Sequence, residues 1–166
     1  MILVSACLAG VRCRYDCGHN RFDPVVELVR SGRALPVCPE QLGGLPTPRA
    51  PAEIRDGRVW TLSGTDVTAA FRRGAEEAFR LGQLAGCLRA ILKARSPSCG
   101  AGLVYDGTFS HVPVPGDGFL AAMLREAGVE IATEEDPGGE KNAGRSISRR
   151  IPKSALKGAP PINRSP

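Results

Sequence analysis

Ile2-Leu3-Val4-Ser5-Ala6-Cys7-Leu8-Ala9-Gly10 is the stretch whose reading decides the fold. Its first five residues form a short apolar run of the length and composition of a strand buried on both faces. No basic segment precedes it, so it reads as a first strand rather than a leader. A polar loop runs from Gly10 to Phe22. Asp23-Pro24 then supplies an N-cap and a first-turn proline for a short helix carrying Val25, Val26, Leu28 and Val29, and Gly32 stops it. Ala34-Leu35-Pro36-Val37 is a second strand, and Pro36 confines it to a sheet edge or a strand start.

The same alternation continues outward. A turn-rich passage leads to a hairpin around Asp56-Gly57. Thr65 to Ala85 is the longest helical pattern, with Val67, Phe71, Ala75, Ala78, Phe79 and Gly82 on one face. Ala90 to Lys93 reads as a strand, and Leu103-Val104-Tyr105 and Thr108-Phe109 flank a second Asp-Gly turn. Asp117 is placed to cap a last helix that Gly128 ends, and Val129 to Ala132 closes the sheet. Strands alternating with helices predict a three-layer, Rossmann-like α/β domain with a mainly parallel sheet and short hairpin insertions. Such sheets collect ligands at the carboxyl ends of their strands. Cys7, Cys38 and Cys99 each follow one of these strands, which would bring together thiols separated by 31 and 61 residues.

The 166 residues suit one folded domain, and 42% apolar residues with 5% aromatics predict an aliphatic core. No stretch approaches the roughly 20 apolar residues of a membrane span. The expected compartment is the cytoplasm, where six cysteines are ligands, nucleophiles or buried thiols rather than disulfide partners. The net charge of +5 suggests nucleic acid until its distribution is examined. Residues 1–136 balance at −1, whereas 137–166 carry +6. The division is therefore a folded domain over 1–136 and a basic tail over 137–166, whose Pro, Gly, Ser and charge predict disorder and at most weak nucleic-acid contact.

Proline and glycine beside the three sulfurs (Cys38-Pro39, Pro97-Ser98-Cys99-Gly100) free the backbone to approach a bulky group. Thiolates are soft ligands for zinc or iron–sulfur clusters. No CxxC pair exists, however, and spacing alone reads equally well as small hydrophobes at strand ends. The surrounding motifs carry more. VSACLAGVRCRYD (4–16), PVCPEQLGGLPTPR (36–49), ILKARSPSCG (91–100), YDGTF (105–109) and VPGDG (114–118) resemble, in order, the thiouracil desulfidase family, from Ile2 to about Glu135.

The resemblance implies an α/β fold carrying a [4Fe-4S] cluster on three cysteines, here Cys7, Cys38 and Cys99. The fourth iron would take the sulfur of a thiolated pyrimidine in a non-redox desulfidation. Position in the sequence points to Glu40, two residues after Cys38, as the carboxylate that manages protons, and to Ser96 and Ser98 beside Cys99 as hydroxyls that position substrate or water; the resemblance selects Ser96 as the catalytic one. Arg14 and Asp16, in the first loop with Arg12 and Tyr15, read as binding the pyrimidine or a phosphate, or equally as a hydrogen-bonded loop. Cys13 falls in the family's CRYD pattern, but Cys17 stands where the glycine after that Asp is usual. Each reads as a loop thiol, a transient sulfur carrier or a fourth ligand. Cys87 reads as core, and His19 and His111 lack ligand spacing. Gln41-Leu42-Gly43-Gly44 reads as a turn or an anion cradle. A second reading is an iron–sulfur or zinc module that holds RNA through its tail. A metal-free cysteine nucleophile is disfavoured, since neither His has a pairing context. Oligomeric state is left open by the sequence.

Overall fold

The computed structural model describes residues 1–136. The basic segment 137–166, with the disorder and RNA contact expected of it, lies outside the described residues.

Four parallel strands, β1 (Ile2–Ser5), β2 (Ala34–Val37), β5 (Arg89–Leu92) and β8 (Glu130–Thr133), form one sheet in the order β2-β1-β5-β8. Alternation within β1 builds the layers. Leu3 joins the larger core with Ala75, Ala78, Leu120 and Leu124, from α3 (Thr68–Leu84) and α4 (Phe119–Glu126). Val4 faces the opposite way, onto Leu8 and onto Val25 of α1 (Asp23–Arg30). The three-layer expectation therefore holds, with the apolar first strand inside the sheet. Pro36 sits on β2, an edge strand, where its missing N–H costs no ladder bond on the open side.

The hairpin at Asp56-Gly57 is present as β3 (Ala52–Arg55) and β4 (Arg58–Thr61). Four local expectations need correction. Asp23 does not cap α1, whose N-cap is Phe22; it is the first residue of the helix and its carboxylate accepts from Arg21 Nε at 2.8 Å. The long helix starts at Thr68, not Thr65. Asp66 accepts from the Thr68 amide at 2.9 Å, and residues 65–66 stay bonded to β4 instead. The second Asp-Gly turn does not join two adjacent strands. β6 (Leu103–Tyr105) pairs with β7 (Pro113–Pro115), so residues 106–112 form a longer loop in which Asp106 accepts from the Thr108 amide and hydroxyl. Asp117 does not cap α4, whose N-cap is Gly118. Its carboxylate accepts from the Gly102 amide and from both Nε and Nη2 of Arg125.

One element escaped the sequence reading. A single turn, α2 (Pro39–Leu42), follows Cys38 and packs backbone-to-backbone on α3. A Cβ on Gly74 would lie 1.8 Å from the Pro39 carbonyl oxygen, and one on Gly43 would lie 2.1 Å from that of Ala70. The double glycine of 43–44 thus serves this close approach, and its place in the fold is a packing turn. α2 presents Glu40 to the carboxyl end of the sheet.

Candidate active site

A cavity of about 570 Å³ opens at the carboxyl ends of β1, β2 and β5. Cys7, Cys38 and Cys99 all line it, so the topology does bring the three thiols together. Cys7 lies in the tight turn after β1, its carbonyl accepting from the Gly10 and Asn20 amides. Cys38 is the N-cap of α2. Cys99 lies seven residues beyond β5, farther from its strand than the others, and is fixed by a dense local network. The Ser96 hydroxyl accepts from the Ser98 and Cys99 amides at 3.2 Å each. The first amides of α4 complete the clamp: Gly118, Phe119 and Leu120 donate to the carbonyls of Gly100, Pro97 and Ser98. Those amides face the cysteine loop rather than a ligand. Gly100 is required here, because an added Cβ would meet the Leu103 and Ser96 carbonyl oxygens within 2.8 Å.

A fourth thiol joins the site. Cys13, only 2% exposed, hydrogen-bonds to both Cys7 and Cys38 and lines the same cavity. Those bonds lower the Cys7 thiol below its ordinary pKa and bring Cys38 down to about 7, the latter with help from the Gln41 amide. Cys13 is pushed strongly upward in return, which makes it the proton donor of the group. Burial raises Cys99, although the Ser5 hydroxyl hydrogen-bonds to it. Cys17 is exposed, with φ of 60°, and Cys87 is buried in the larger core with its thiol raised by desolvation; neither lines the cavity.

Glu40 lines the cavity beside the thiols. Its Oε2 accepts from Arg49 Nε at 2.7 Å, and its Oε1 accepts a long 3.4 Å bond from the Ser98 hydroxyl. Arg49 is held in turn by the carbonyls of Cys13 (2.9 Å) and Pro46 (3.1 Å) and by Thr47 Oγ1 (3.0 Å). Ser96 lines the cavity, whereas Ser98 is 1% exposed, lies outside the lining and spends its hydroxyl on Glu40. Ser98, expected from the sequence to bind substrate, thus donates to the carboxylate from outside the cavity lining. Arg14 lines the cavity, but Asp16 does not. Asp16 is exposed and pairs with Arg14 at 3.0 Å, and its carboxyl lies below the usual range because the Gly18 amide and Arg14 donate to it. Its place is to aim Arg14, which also reaches Asn20; Asn20 in turn lies 4.0 Å from the Cys7 sulfur.

The sequence reading missed Arg49, Glu53 and the wall formed by Tyr105 and Phe109, all of which line the cavity. Arg49 lies inside the Cys38 motif, and that position was the available signal. His111 lines the rim edge-on to Tyr105, while His19 only accepts from the Arg21 amide. Among the described residues no group of three or more His, Cys, Asp or Glu side chains is gathered as for a single metal ion.

A family model described as 2-thiouracil desulfurase matches residues 2–136. The chain belongs to the 2-thiouracil desulfurase family. Among its relatives is the uncharacterized protein YbbK of Bacillus subtilis (strain 168), 40% identical over 146 residues that cover 82% of this chain and 97% of that protein. Among solved structures, the [4Fe-4S]-dependent thiouracil desulfidase TudS superposes with a TM-score of 0.77 at 46% identity, covering 82% of this chain and 91% of TudS. This member of the desulfurase family has a donor set that suits an iron–sulfur group. Four soft thiols, Cys7, Cys13, Cys38 and Cys99, line one cavity, and thiolates are the donors that iron–sulfur clusters take. No helix among the described residues is long and apolar enough to cross a membrane.

Proposed function

We propose that this protein is a [4Fe-4S]-dependent desulfidase that converts thiouracil to uracil and sulfide, with Cys7, Cys38 and Cys99 as cluster ligands. The observation that carries the reading is the convergence of these thiols and Glu40 on one cavity. When bound, the cluster supplies an iron without a cysteine ligand, a Lewis acid whose open position suits soft thiocarbonyl sulfur. The remaining work falls to side chains. Arg49 holds Glu40 Oε2 by a charge-assisted bond, leaving Oε1, with only the long bond from Ser98, to accept a proton from the water that attacks the C–S carbon. The Ser96 oxygen is occupied by two backbone amides, so its hydroxyl proton is free to donate into the cavity. Arg14, aimed by Asp16, borders the Cys7 side of the substrate space. The overall change exchanges C=S and water for C=O and hydrogen sulfide, and no electrons are transferred.

The domain over 1–136 contains every residue this reading uses, and the cytoplasm, with its reducing poise, is the compartment that suits it. The test is anaerobic reconstitution followed by 2-thiouracil and 4-thiouracil, with sulfide and uracil quantified. Stoichiometric release of both is expected, and the chain truncated after residue 136 should retain it. A protein with an intact cluster that liberates no sulfide from either base overturns the activity. Loss of all turnover on truncation would instead favour the tail-dependent RNA module.

A further inference from the structure

Glu53 is a second carboxylate in the cavity, and the desulfidation scheme leaves it without a task. It lies on β3, only 5% exposed, and lines the cavity. The cationic side chains that share this lining are already met by acids: Arg14 by Asp16, Arg49 by Glu40, Lys93 by Glu134 and Arg95 by Glu135. Glu53 has no cationic partner among the described residues. Its Oε2 accepts from two backbone amides of the 106–112 loop, Gly107 at 3.1 Å and Phe109 at 2.9 Å. Its Oε1 takes no hydrogen bond from a described residue. Since no fully buried side-chain oxygen lacks a partner, Oε1 must open on the cavity.

The anchor is rigid. Gly107 presses so closely on β3 that an added Cβ would meet the Ile54 carbonyl oxygen at 2.8 Å and Arg55 Cβ at 2.6 Å. Phe109, held through its amide, has φ of 60° and lines the cavity beside Tyr105. One oxygen of Glu53 thus fixes the aromatic wall, and the other is presented as an immobile acceptor to which no described residue donates. A buried acceptor of this kind selects ligands that carry an N–H and rejects those that leave it unpaired.

We infer that Glu53 is a specificity-determining residue whose Oε1 accepts the N3–H of a uracil-type ring held against the aromatic wall. The assignment rests on the desulfidase reading for the class of ligand. N3 lies between the two ring carbons that can carry sulfur, and it keeps its proton when N1 bears a sugar. An acceptor there therefore serves base and nucleoside alike, and it sits next to the reacting carbon.

Calorimetric binding of uracil and 3-methyluracil, which keep or block N3–H but carry no sulfur to release, to the anaerobic, cluster-loaded protein tests this without turnover. The wild type should prefer the N–H base by at least about 100-fold. In Glu53→Gln the amide oxygen can keep the two backbone bonds while its NH2 group faces the ring proton. The preference should then fall below about 10-fold, mainly through weaker binding of uracil. A merely structural role would weaken both ligands by the same factor, and that result overturns the inference. So does equal binding of the two bases by the wild type, or failure of both to bind. Should Glu53→Gln not fold, Glu53→Asp is judged by the same ratio. Selective binding without sulfide release would keep Glu53 and overturn desulfidation; sulfide release with equal binding would do the reverse.

Discussion

Replacing Arg49 with Met removes the group that ties Glu40 to the cysteine loop. The guanidinium makes four hydrogen bonds: to Glu40, to the carbonyls of Cys13 and Pro46, and to Thr47 Oγ1. The two side chains of the ion pair are 8% and 17% exposed, so this is an interior pair. Removing one partner of such a pair costs about 3–5 kcal/mol, because the other charge is stranded. The residual exposure of Glu40 puts the expected loss at the low end, about 3 kcal/mol. For a domain of this size that corresponds to a fall of roughly 10 °C in Tm. Thermal unfolding of the cluster-loaded protein measures it. Adding Glu40→Gln to Arg49→Met should recover part of the loss, since no charge is then stranded, whereas Glu40→Gln alone should not stabilise the protein. Thiouracil turnover should fall in all three variants. A Tm for Arg49→Met within 2 °C of wild type, or strict additivity in the double variant, would refute the argument that the pair organises the site.

Two further outcomes follow from the scaffold. Gly74→Ala places a methyl where the Pro39 carbonyl oxygen now lies, so α2 must withdraw from α3. The expected loss is at the upper end of overpacking costs, about 3 kcal/mol, with reduced iron content because Cys38 and Glu40 move with α2; unchanged iron content in a destabilised protein would separate packing from site geometry. For Asp117, the Arg125 guanidinium and the Gly102 amide hold the carboxyl below its ordinary value. A depressed folded-state pKa contributes stability that is present above the unfolded value, about pH 4, and is lost as pH falls through the folded value. Asp117→Asn should therefore lower Tm at pH 7 by an amount that shrinks toward pH 3, and with Arg125 largely exposed the effect should not exceed about 1 kcal/mol; a deficit that persists undiminished at pH 3 would point to lost packing instead.

The layers of the fold were legible because they rest on apolar periodicity. The run 2–6 had to be an inner strand, Pro36 had to be at an edge, and the helical face of Phe71, Ala75 and Ala78 had to be buried. Where the reading slipped, short polar side chains had been offered two uses. Asp23 and Asp117 both looked like helix caps, but α1 has Phe22 at its N-cap and Asp117 is engaged by Arg125 and Gly102. The convergence of Cys7, Cys38 and Cys99 could be inferred because strand ends in a parallel sheet share an edge. The division of labour between Ser96 and Ser98 could not, because it depends on which hydroxyl the α4 clamp turns toward the cavity. Glu53 was invisible for a similar reason. Its two-amide anchor joins β3 to a loop 54 and 56 residues further on and leaves no local pattern, whereas Arg49 sits nine residues from Glu40 within one motif.

On the proposed reading Cys7, Cys38 and Cys99 hold the cluster and the core thiol Cys87 does not. Iron and acid-labile sulfide measured per chain after anaerobic reconstitution of Cys7→Ala, Cys38→Ala, Cys99→Ala and Cys87→Ala test it most directly. The wild type and Cys87→Ala should each carry about four irons and four sulfides, the complement of a [4Fe-4S] cluster, and each of the other three variants should lose most of it. A full complement retained without Cys7, Cys38 or Cys99 would contradict the account.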